Sequence, residues 1–427
     1  MPAAARTALK WAAGVVLVIA NLAAIAHQSL VRQRGHLTFD RYRIDLDVYR
    51  IGSTVWRHAG DLYGPMRATR VGLALPFTYP PIAAVALAPL TLVPFAVASG
   101  ALTVASIAML AVVAAVFLRA LGVPRRLLLW SVAVLLPLGL FLEPVQANLS
   151  FGQVNIILML LVTLDCLIAR PRWPRGALVG VAAAIKLTPA VFVIFFLVRR
   201  DYRAARNALL SFVATTGIGF LLSWHSSVEY WTGTVFDSGR IGGVGYVGNQ
   251  SLQAVLARVG LHGSVATLGW IVLSIGVVAL VVLGMSRAVA AGQFAPALVL
   301  NAFCVLLVSP ISWTHHWVWI APALLCLLAL AWRARLWTPL LLAAAGVALF
   351  TIGPQWHLPQ GGDRELAWSW GQQIIGGCYL WYAVVVLGYA AFSRALWRDA
   401  RPPGRQAGES VPSVPSVRSK KASRASA

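Results

Sequence analysis

The stretch Ala101-Leu-Thr-Val-Ala-Ser-Ile-Ala-Met-Leu-Ala-Val-Val-Ala-Ala-Val-Phe-Leu118 consists of eighteen consecutive residues without an acidic or basic side chain. An α-helix of that length rises about 27 Å, which approaches the roughly 30 Å thickness of a bilayer's hydrocarbon core. Two further runs, Trp11 to Ala26 and Trp270 to Leu283, are equally free of charge. Because lipid offers no water to solvate backbone groups, such runs predict membrane-spanning helices.

The composition agrees with a chain that is solvated by lipid over most of its length. The 427 residues are 59% hydrophobic and only 11% charged, and the mean hydropathy is +0.76, which excludes a water-soluble globular domain. We predict an all-α integral membrane protein, a polytopic bundle of about 10–12 transmembrane helices with short interfacial helices in its first outer loop. The predicted spans are 11–27, 96–119, 127–142, 154–169, 207–223, 264–285, 296–310, 317–331, 337–352 and 374–392.

Basic residues indicate which loops face the cytoplasm. The chain carries 35 Lys and Arg against 13 Asp and Glu, a formal net charge of +22. Arginines collect in short loops between apolar runs, at Arg125-Arg126, Arg170 to Arg175, Arg199 to Arg203 and Arg333 to Arg335. Cytoplasmic loops are enriched in this way, so we place both termini in the cytoplasm and exclude nucleic acid as a partner.

This orientation divides the chain into a cytoplasmic N-terminus at 1–10, a transmembrane domain at 11–395 and a disordered, basic cytoplasmic tail at 396–427. The outer loops lie at about 28–95, 143–153, 224–263, 311–317 and 353–373. The segment 176–198 is long enough to cross, yet basic loops flank both ends and Lys186-Leu-Thr-Pro189 interrupts it. We therefore predict a re-entrant pair of half-helices there, with the break lining a cavity.

Polar residues concentrate on the predicted outer face. Nine of the thirteen acids fall there, namely Asp40, Asp45, Asp47, Asp61, Glu143, Glu229, Asp237, Asp363 and Glu365. An enzyme with its site on one face fits this distribution better than a transporter or lipid-sugar flippase, which needs polar groups across the membrane. The cysteines Cys166, Cys304, Cys326 and Cys378 lie in apolar stretches without metal-ligand spacing, so we predict packing roles and no metal site.

Asp45 and Asp47 follow the first span in Arg43-Ile-Asp-Leu-Asp-Val-Tyr49. Two carboxylates two residues apart point the same way only on a strand, and on a helix they diverge. One of them is therefore a candidate single base rather than half of a carboxylate pair. An ordinary solvated acidic loop is the alternative interpretation.

Carboxylate and amide side chains suited to a hydroxyl-rich ligand gather in two outer loops. Glu143, Gln153 and Asn155 lie in one run at a membrane boundary, where burial without partners is costly. Asn249 and Gln250, in the loop from Trp224 to Gly263, are further candidates for the same cavity. Helix capping and plain scaffold are the alternative roles.

Cationic and imidazole groups are the candidates for binding an anion such as a phosphate. Lys186 sits within a long apolar stretch, where a central charge costs about 2.5–3.5 kcal/mol unless a partner offsets it. His315 and His316 lie among tryptophans at an outer boundary, and Arg240 lies in an outer loop. Two adjacent histidines are too few for a zinc site, so we expect hydrogen bonds to a phosphate or hydroxyl. A snorkelling lysine and structural histidines are the alternatives.

Five motifs in this order resemble glycosyltransferase family 87, over about residues 40 to 390. They are Ile44-Asp-Leu-Asp-Val-Tyr49, Pro76-Phe-Thr-Tyr-Pro-Pro81, Phe151-Gly-Gln-Val-Asn155, Lys186-Leu-Thr-Pro189 and Ser309-Pro-Ile-Ser-Trp-Thr-His-His-Trp-Val-Trp319. This is the family of mycobacterial-type polyprenol-phosphate-mannose-dependent α-(1→2)-mannosyltransferases. Within it, Trp173-Pro-Arg-Gly176, Glu229-Tyr-Trp-Thr232 and Arg240-Ile-Gly242 are similar to members that branch lipomannan and lipoarabinomannan. Members that make higher phosphatidylinositol mannosides are similar too, but have His at the position of Asp47.

The resemblance implies a GT-C fold, a polyprenyl-phosphate-mannose donor and a catalytic Asp in the first outer loop, which the motif aligns with Asp45. Asp47 is the second choice. A β-linked donor and an α-linked product require inversion in one displacement, so one base suffices. Lys186 would stabilise the leaving phosphate together with His315 or His316. Arg240 is the further candidate for this role.

The remaining expectations concern the cofactor, the cellular localisation and the acceptor. A donor without a diphosphate needs no metal in principle, so we expect no cofactor. The partners are then the lipid-linked donor, a mannan-type lipoglycan or glycolipid acceptor, and membrane lipids. We expect a multi-pass protein of the cell membrane whose catalytic face is extracytoplasmic. Phosphatidylinositol mannoside mannosylation, arabinofuranosyl transfer and lipid-sugar flipping are the alternatives.

Overall fold

The computed structural model of the protein describes residues 3–33, 36–38 and 41–399, and these are almost entirely helical. One short antiparallel hairpin pairs β1 (Val31–Gln33) with β2 (His36–Thr38). The α-helices of the described residues are α1 (Ala3–Ser29), α2 (Ile44–Arg57), α3 (Pro81–Leu87), α4 (Phe95–Ala120), α5 (Arg125–Leu140), α6 (Glu143–Phe151), α7 (Asn155–Leu167), α8 (Ala177–Ile185), α9 (Val193–Val198), α10 (Tyr202–Leu222), α11 (Trp224–Thr232), α12 (Leu252–Arg258), α13 (Gly263–Ala290), α14 (Phe294–Val308), α15 (Ile320–Ala334), α16 (Trp337–Ile352), α17 (Trp370–Gly376), α18 (Cys378–Phe392) and α19 (Arg394–Asp399).

Each of the ten apolar segments predicted from the sequence falls on a helix. Four helices within the described residues are long and apolar enough to cross a membrane alone: Phe95–Ala120, Tyr202–Leu222, Gly263–Ala290 and Thr314–Ala334. Two bent pairs, α5 with α6 and α17 with α18, raise that number to six if each pair forms one span. The other apolar helices are shorter. The all-α polytopic fold class is confirmed.

The first predicted outer loop folds into short helices that lie beside the long ones. Proline begins two of the helices in this region, because its fixed φ suits a first turn and its missing N–H has no helical partner there. Pro81 is the first residue of α3, and Pro94 precedes α4. A 3-10 helix, Ala88–Thr91, connects them. The proline-rich segment thus forms short helices, as the sequence predicted, and their place at the membrane interface stays a prediction.

The segment predicted to be broken is interrupted at Lys186. Helix α8 ends at Ile185, Lys186 is extended (φ −148°, ψ 125°), and a 3-10 helix, Thr188–Phe192, leads into α9. Upstream of the break, α8 packs closely on α10, since a Cβ at Gly180 would lie 2.3 Å from the carbonyl oxygen of Ala208. This close approach leaves no room for a side chain at Gly180.

The C-terminal boundary differs from the prediction, which began a disordered tail at 396. Helix α19 continues to Asp399, and Leu396 and Trp397 are buried. The indole of Trp397 also donates a hydrogen bond to the carbonyl of Ala390 at 2.7 Å. Apolar burial therefore extends the ordered domain past the predicted boundary. The rest of the predicted tail, 400–427, and Asp40 lie outside the described residues.

The cysteines are free thiols among the described residues. Cys166, Cys304 and Cys326 are buried in the helical core, and Cys378 is half-buried at the start of α18. A buried free cysteine behaves as a small apolar side chain. These positions fit the packing roles predicted from their apolar surroundings.

Candidate active site

A cavity of about 370 Å³ opens between the first predicted outer loop, which contains α2 and α3, and the loops that precede α12 and α15. Its walls come from α2, the segment before α3, the turn after α6, the break after α8 and those two loops. Distant parts of the sequence thus converge on one space. Six of the residues singled out in the sequence line it: Asp45, Gln153, Lys186, Arg240, His315 and His316.

Asp45 lies in the first turn of α2 and faces this cavity. Its Oδ2 accepts a hydrogen bond from Nε2 of Gln153 at 2.7 Å. Burial raises the pKa of Asp45 to about 6, while the Gln153 hydrogen bond and the charge of Lys186 act in the opposite direction. A carboxylate with that pKa is ionised at neutral pH and still accepts a proton readily, which suits a general base.

Asp47 points away from the cavity because the segment is helical, and helical residues two apart diverge. Its Oδ2 accepts hydrogen bonds from the Tyr42 hydroxyl at 3.3 Å and from the backbone N–H of Arg70 at 2.8 Å. The side chain is only 4% exposed. Asp47 therefore anchors the loop around Arg70, and of the two candidate bases it is Asp45 that lines the cavity.

The turn after α6 brings Gln153 to Asp45. Gly152 ends α6 in the left-handed region (φ 73°), which glycine adopts without the clash that a Cβ creates. A Cβ at Gly152 would also lie 3.0 Å from the Cβ atoms of Arg43 and Leu46. This close approach to α2 allows the Gln153 amide to reach the carboxylate, and it explains the glycine in Phe151-Gly-Gln153.

Lys186 presents its ammonium group at the cavity wall. Its Nζ donates a hydrogen bond to Oδ1 of Asn155 at 2.9 Å and lies 3.2 Å from Nε2 of His316. It also lies 5.3 Å from the centroid of the Tyr79 ring. These three partners are neutral and hold the ammonium in place, while the Asp45 carboxylate acts on it through charge rather than through a hydrogen bond between the two described side chains. The ammonium can therefore still bind an anion.

Asn155 bonds to the lysine and to the histidine segment, and it lines a smaller cavity beside Lys186 and His316 rather than this one. Its Nδ2 donates to Oδ1 of Asn148 at 3.1 Å and to the carbonyl oxygen of His315 at 3.0 Å. Its Oδ1 accepts from Lys186. The amide is thus fully engaged in joining α7 to the Lys186 break and to the histidine segment.

The two histidines lie side by side in a 3-10 helix, Thr314–Trp319, but have different environments. His316 contacts Lys186 through Nε2, so it accepts a hydrogen bond when the lysine is charged. His315 is 7% exposed and packs edge-on against Phe151, and its Nε2 has no hydrogen-bond partner within the described part of the chain. A buried polar atom without a partner in a cavity wall is suited to a ligand.

The far wall contributes a second cation, an acid and an aromatic ring. Arg240 lines the cavity while its Nη2 donates to the carbonyl oxygen of Tyr63 at 2.7 Å. Asp237, three residues earlier, and Trp313 also line it. Trp317, by contrast, is fully buried. Of the tryptophans around the histidines, Trp313 is therefore the one available to stack on a sugar ring.

Glu143, a sugar-binding candidate from the sequence, does not line this cavity. Its Oε1 accepts from Nε1 of Trp356 at 2.9 Å, and its Oε2 accepts from the Tyr379 hydroxyl at 2.8 Å. These bonds satisfy both carboxylate oxygens and join α6 to α18. Glu143 is a structural residue in this arrangement.

Asn249 and Gln250 are also structural, since both are fully buried and bonded to backbone. Asn249 donates to the carbonyls of Val244 and Pro310 and accepts from the N–H of Ser312. Gln250 donates to the carbonyls of Val247 and Gly376. The pair holds the loops that carry Arg240 and the histidines, and neither residue lines the cavity.

Several cavity residues were not singled out individually from the sequence: Tyr49, Tyr79, Thr188, Tyr230, Asp237 and Trp313. Tyr49, Tyr79, Thr188 and Trp313 lie inside four of the five motifs, so the motifs themselves carried a signal. Asp237 had none beyond its place in an outer loop. Its side chain accepts a hydrogen bond from the N–H of Gly239. From the sequence alone, an Asp two residues before a Gly indicates an ordinary turn rather than a cavity residue.

Comparison with known proteins adds an independent line of support. Residues 77–310 match the model of glycosyltransferase family 87. A protein of Mycobacterium tuberculosis named polyprenol-phosphate-mannose-dependent alpha-(1-2)-phosphatidylinositol mannoside mannosyltransferase is 40% identical over 359 residues, covering 81% of this chain and 84% of that protein. The protein of the same name from Mycolicibacterium smegmatis is 41% identical over 383 residues, covering 84% and 86%.

A third relative is more distant but aligns over more of the chain. A Mycolicibacterium smegmatis protein named polyprenol-phosphate-mannose-dependent alpha-(1-2)-phosphatidylinositol pentamannoside mannosyltransferase is 35% identical over 417 residues, covering 92% of this chain and 94% of that protein. No solved structure matches this chain significantly.

Proposed function

This chain belongs to glycosyltransferase family 87 and is a membrane glycosyltransferase, and from that premise we propose that it transfers mannose from polyprenyl-phosphate-mannose to a mannose 2-hydroxyl. The observation that carries the proposal is one cavity with a carboxylate, Asp45, on one wall and a cation, Lys186, on another. A sugar phosphate between them has its anomeric carbon accessible to an acceptor hydroxyl activated by the carboxylate.

The proposed chemistry is a single inverting displacement. The acceptor 2-hydroxyl oxygen bonds to the anomeric carbon while Asp45 takes the hydroxyl proton. The bond from the anomeric carbon to the phosphate oxygen breaks, and its electron pair leaves with polyprenyl phosphate. Because a phosphate is already a good leaving group, the departing oxygen needs charge stabilisation rather than a general acid.

Lys186 and His315 are the groups proposed to supply that stabilisation. The ammonium of Lys186 is held by neutral partners, and Nε2 of His315 lacks a partner in the described chain, so both have capacity for phosphate oxygens. His316 would position Lys186 rather than bind the phosphate itself. Arg240 also lines the cavity and is the second candidate cation for the phosphate. Fixed charges in a site of low dielectric stabilise a developing anion strongly.

No metal ion is required by this scheme, because the donor is a phosphodiester without a diphosphate to chelate. Trp313 lines the same cavity and offers an aromatic ring on which a sugar ring can stack. The catalytic face is proposed to be extracytoplasmic and the membrane to be the cell membrane. The basic loops on the other side of the spans support that orientation.

The acceptor is proposed to be a mannose chain on a phosphatidylinositol anchor. Relatives at 40% and 41% identity are named as acting on phosphatidylinositol mannoside, which supports that class. The sequence motifs favour branching of the longer lipomannan and lipoarabinomannan chains within it. Both acceptors present an α-linked mannose with a free 2-hydroxyl, so the same cavity chemistry serves either.

The test is transfer of radiolabelled mannose by membranes that carry wild-type protein, Asp45→Asn or Glu143→Gln, with linkage analysis. Each membrane is offered short phosphatidylinositol mannosides and, separately, a lipid-linked α-1,6-mannan. We expect α-(1→2)-linked label with wild type and with the Glu143→Gln control, and loss in Asp45→Asn. The acceptor that is labelled decides between mannoside extension and lipoglycan branching.

Three results would overturn the proposal. Transfer from polyprenyl-phosphate-arabinose in place of the mannose donor would assign the enzyme to arabinofuranosyl transfer. Movement of the lipid-linked sugar across sealed vesicles, without a new glycosidic bond, would assign a flippase. Well-inserted wild-type protein that transfers no mannose to either acceptor would contradict the mannosyltransferase assignment.

A further inference from the structure

Two tyrosine hydroxyls and one amide oxygen lie in mutual contact beside Asp45, and each hydroxyl has one proton to donate. Oε1 of Gln153 lies 2.8 Å from the Tyr49 hydroxyl and 3.1 Å from the Tyr79 hydroxyl, and the two hydroxyls are 3.0 Å apart. All three side chains are at most 9% exposed. All three line the cavity but expose little area to it, so most of each side chain lies within the cavity wall.

The chemistry of these groups fixes which way the Gln153 amide faces. A carbonyl oxygen has two lone pairs and can accept from both hydroxyls, while the amide nitrogen only donates. Burial raises the pKa of both tyrosines, so Tyr49 and Tyr79 keep their protons and act as donors. Turning the amide over would bring its oxygen against the carboxylate oxygen of Asp45. The tyrosines thus hold Nε2 on Asp45.

The backbone of Gln153 is fixed as well. Its N–H donates to the carbonyl of Asn148 at 2.9 Å, and Nδ2 of Asn148 donates to its carbonyl at 3.3 Å. With the backbone pinned by α6 and the amide pinned by two hydroxyls, little freedom is left in the side chain. A group immobilised in this way is suited to orienting a neighbour rather than adapting to a ligand.

Tyr79 has a second contact that Tyr49 lacks. Nζ of Lys186 lies 3.5 Å from the Tyr79 hydroxyl and 5.3 Å from the centroid of its ring. Tyr79 therefore adjoins both the proposed base and the proposed phosphate-binding cation. The Tyr49 hydroxyl contacts Gln153 and Tyr79, and no hydrogen bond joins it to Lys186 among the described residues. This difference separates the two roles experimentally.

We propose that Tyr49, Tyr79 and Gln153 are positioning residues that orient the Asp45 carboxylate and favour its ionised, proton-accepting form. The proposal rests on the mannosyl transfer proposed above for the catalytic role of Asp45, but the hydrogen-bonded set is a property of the fold. It reassigns Gln153, which the sequence pattern placed among sugar-binding residues, to a role that acts through the base.

A hydrogen bond donated to a carboxylate stabilises the charged form, so its loss raises the carboxylate's pKa. A net contribution of about 1 kcal/mol corresponds to roughly 0.7 pH unit. The groups that face Asp45 around the cavity are Tyr49 on its own helix, Tyr79 before α3, Lys186 after α8, Tyr230 in α11, Asp237 and Arg240 between α11 and α12, and His315 and His316 before α15. Tyr49→Phe alters none of these charges, so a shift in this variant reports the hydrogen bonds.

The experiment compares the pH dependence of kcat for wild type, Gln153→Leu, Tyr49→Phe, Tyr79→Phe and the double variant Gln153→Leu/Tyr49→Phe. Tyr382→Phe is the matched control, because its hydroxyl bonds to the carbonyl of Leu342 between α16 and α18, away from this set. The titration of Asp45 is followed independently by the infrared band of its protonated carboxyl group, identified by its absence in Asp45→Asn.

We expect the acidic midpoint to rise by roughly 0.5–1 pH unit in Gln153→Leu and by a smaller amount in Tyr49→Phe. Adding Tyr49→Phe to Gln153→Leu should cause no further shift, because the hydroxyl acts through the amide. Tyr79→Phe should also raise KM for the donor, through Lys186. Tyr382→Phe should leave the midpoint where wild type has it.

Three outcomes would overturn the inference. The first is an unchanged Asp45 midpoint in monodisperse, folded Gln153→Leu and Tyr49→Phe protein. The second is a raised KM for either substrate in Gln153→Leu without a midpoint shift, which would return Gln153 to sugar binding. The third is an additive shift in the double variant. Because the infrared titration needs no turnover, it tests the inference even if wild type transfers no mannose and the proposed function fails.

Discussion

Nζ of Lys186 lies 3.2 Å from Nε2 of His316 at the wall of the cavity. The ammonium donates a hydrogen bond that the imidazole nitrogen accepts. Two positive charges at that distance would repel strongly in a site of low dielectric. A charged Lys186 therefore requires a neutral His316 that accepts its hydrogen bond. This relationship separates the two neighbouring histidines, which the sequence treats as equivalent, because only His315 keeps a ring nitrogen without a partner in the described chain.

Replacement of Lys186 by Met should lower kcat by about 10²–10³-fold, the scale found when one preorganised group at a developing charge is removed. Methionine keeps much of the apolar stem and removes the ammonium. Steady-state kinetics with polyprenyl-phosphate-mannose measures the effect. His316→Gln should have a smaller effect, since its amide oxygen can still accept from Lys186. A Lys186→Met enzyme with wild-type kcat would remove the lysine from the mechanism.

The activity should depend on Asp45 through its ionised form. Because burial raises its pKa to about 6, kcat should fall tenfold for each pH unit below that midpoint and level off above it. Asp45→Asn should lose nearly all transfer at every pH. A pH profile from 4.5 to 8.5 on wild type gives the midpoint. A flat profile across that interval would contradict Asp45 as the base.

Asp45→Asn should not cost stability. The folded pKa is raised from 3.8 to about 6, so the folded state binds the Asp45 proton more tightly than the unfolded state. Ionisation therefore lowers wild-type stability progressively between about pH 4 and pH 6, and the cost stays constant above pH 6. Asparagine has no such cost. Thermal unfolding in detergent at pH 8 should give a Tm equal to or a few degrees above wild type, and a large decrease would contradict the environment assigned to Asp45.

Asp47→Asn should leave the proposed base, Asp45, unchanged and weaken the hydrogen bond that holds the loop at Arg70. The carboxylate accepts from the backbone N–H of Arg70, and an amide oxygen can still do so, although a neutral acceptor forms a weaker bond. We expect kcat within about threefold of wild type and a Tm lower by roughly 1–3 °C. The kcat and Tm of Asp47→Asn and Asp45→Asn are measured side by side, so that each variant is the control for the other. A complete loss of activity in Asp47→Asn with normal folding would reopen the choice of base.

Gly152→Ala should impair both stability and catalysis. The residue has φ 73°, where an L-amino acid costs about 1–2 kcal/mol, and its new Cβ would meet Arg43 and Leu46 at 3.0 Å. The strain should move Gln153 off Asp45. Tm and kcat are measured together, with Gly388→Ala as the control, because a Cβ at Gly388 meets nothing within 4 Å. A Gly152→Ala protein with wild-type Tm and kcat would contradict the close approach of α6 to α2.

The sequence by itself determined the lipid-solvated helices, because hydrophobic burial and the cost of charge in lipid act on consecutive residues. The break at Lys186 could be predicted for the same reason, since a proline and a lysine interrupt an apolar run. The candidates Asp45, Lys186 and His315 were also accessible, through motifs whose residue types suit the chemistry.

The tertiary structure alone decided which polar residues share the cavity. Asp45 and Gln153 are 108 residues apart, and no local pattern indicates that their side chains meet. Asn249, Gln250 and Glu143 carry the same functional groups as true cavity residues, yet their hydrogen bonds are satisfied by backbone, a tryptophan and a tyrosine elsewhere in the fold. The reason is that hydrogen-bonding capacity belongs to the side chain, whereas its use depends on which partners long-range helix packing brings within reach.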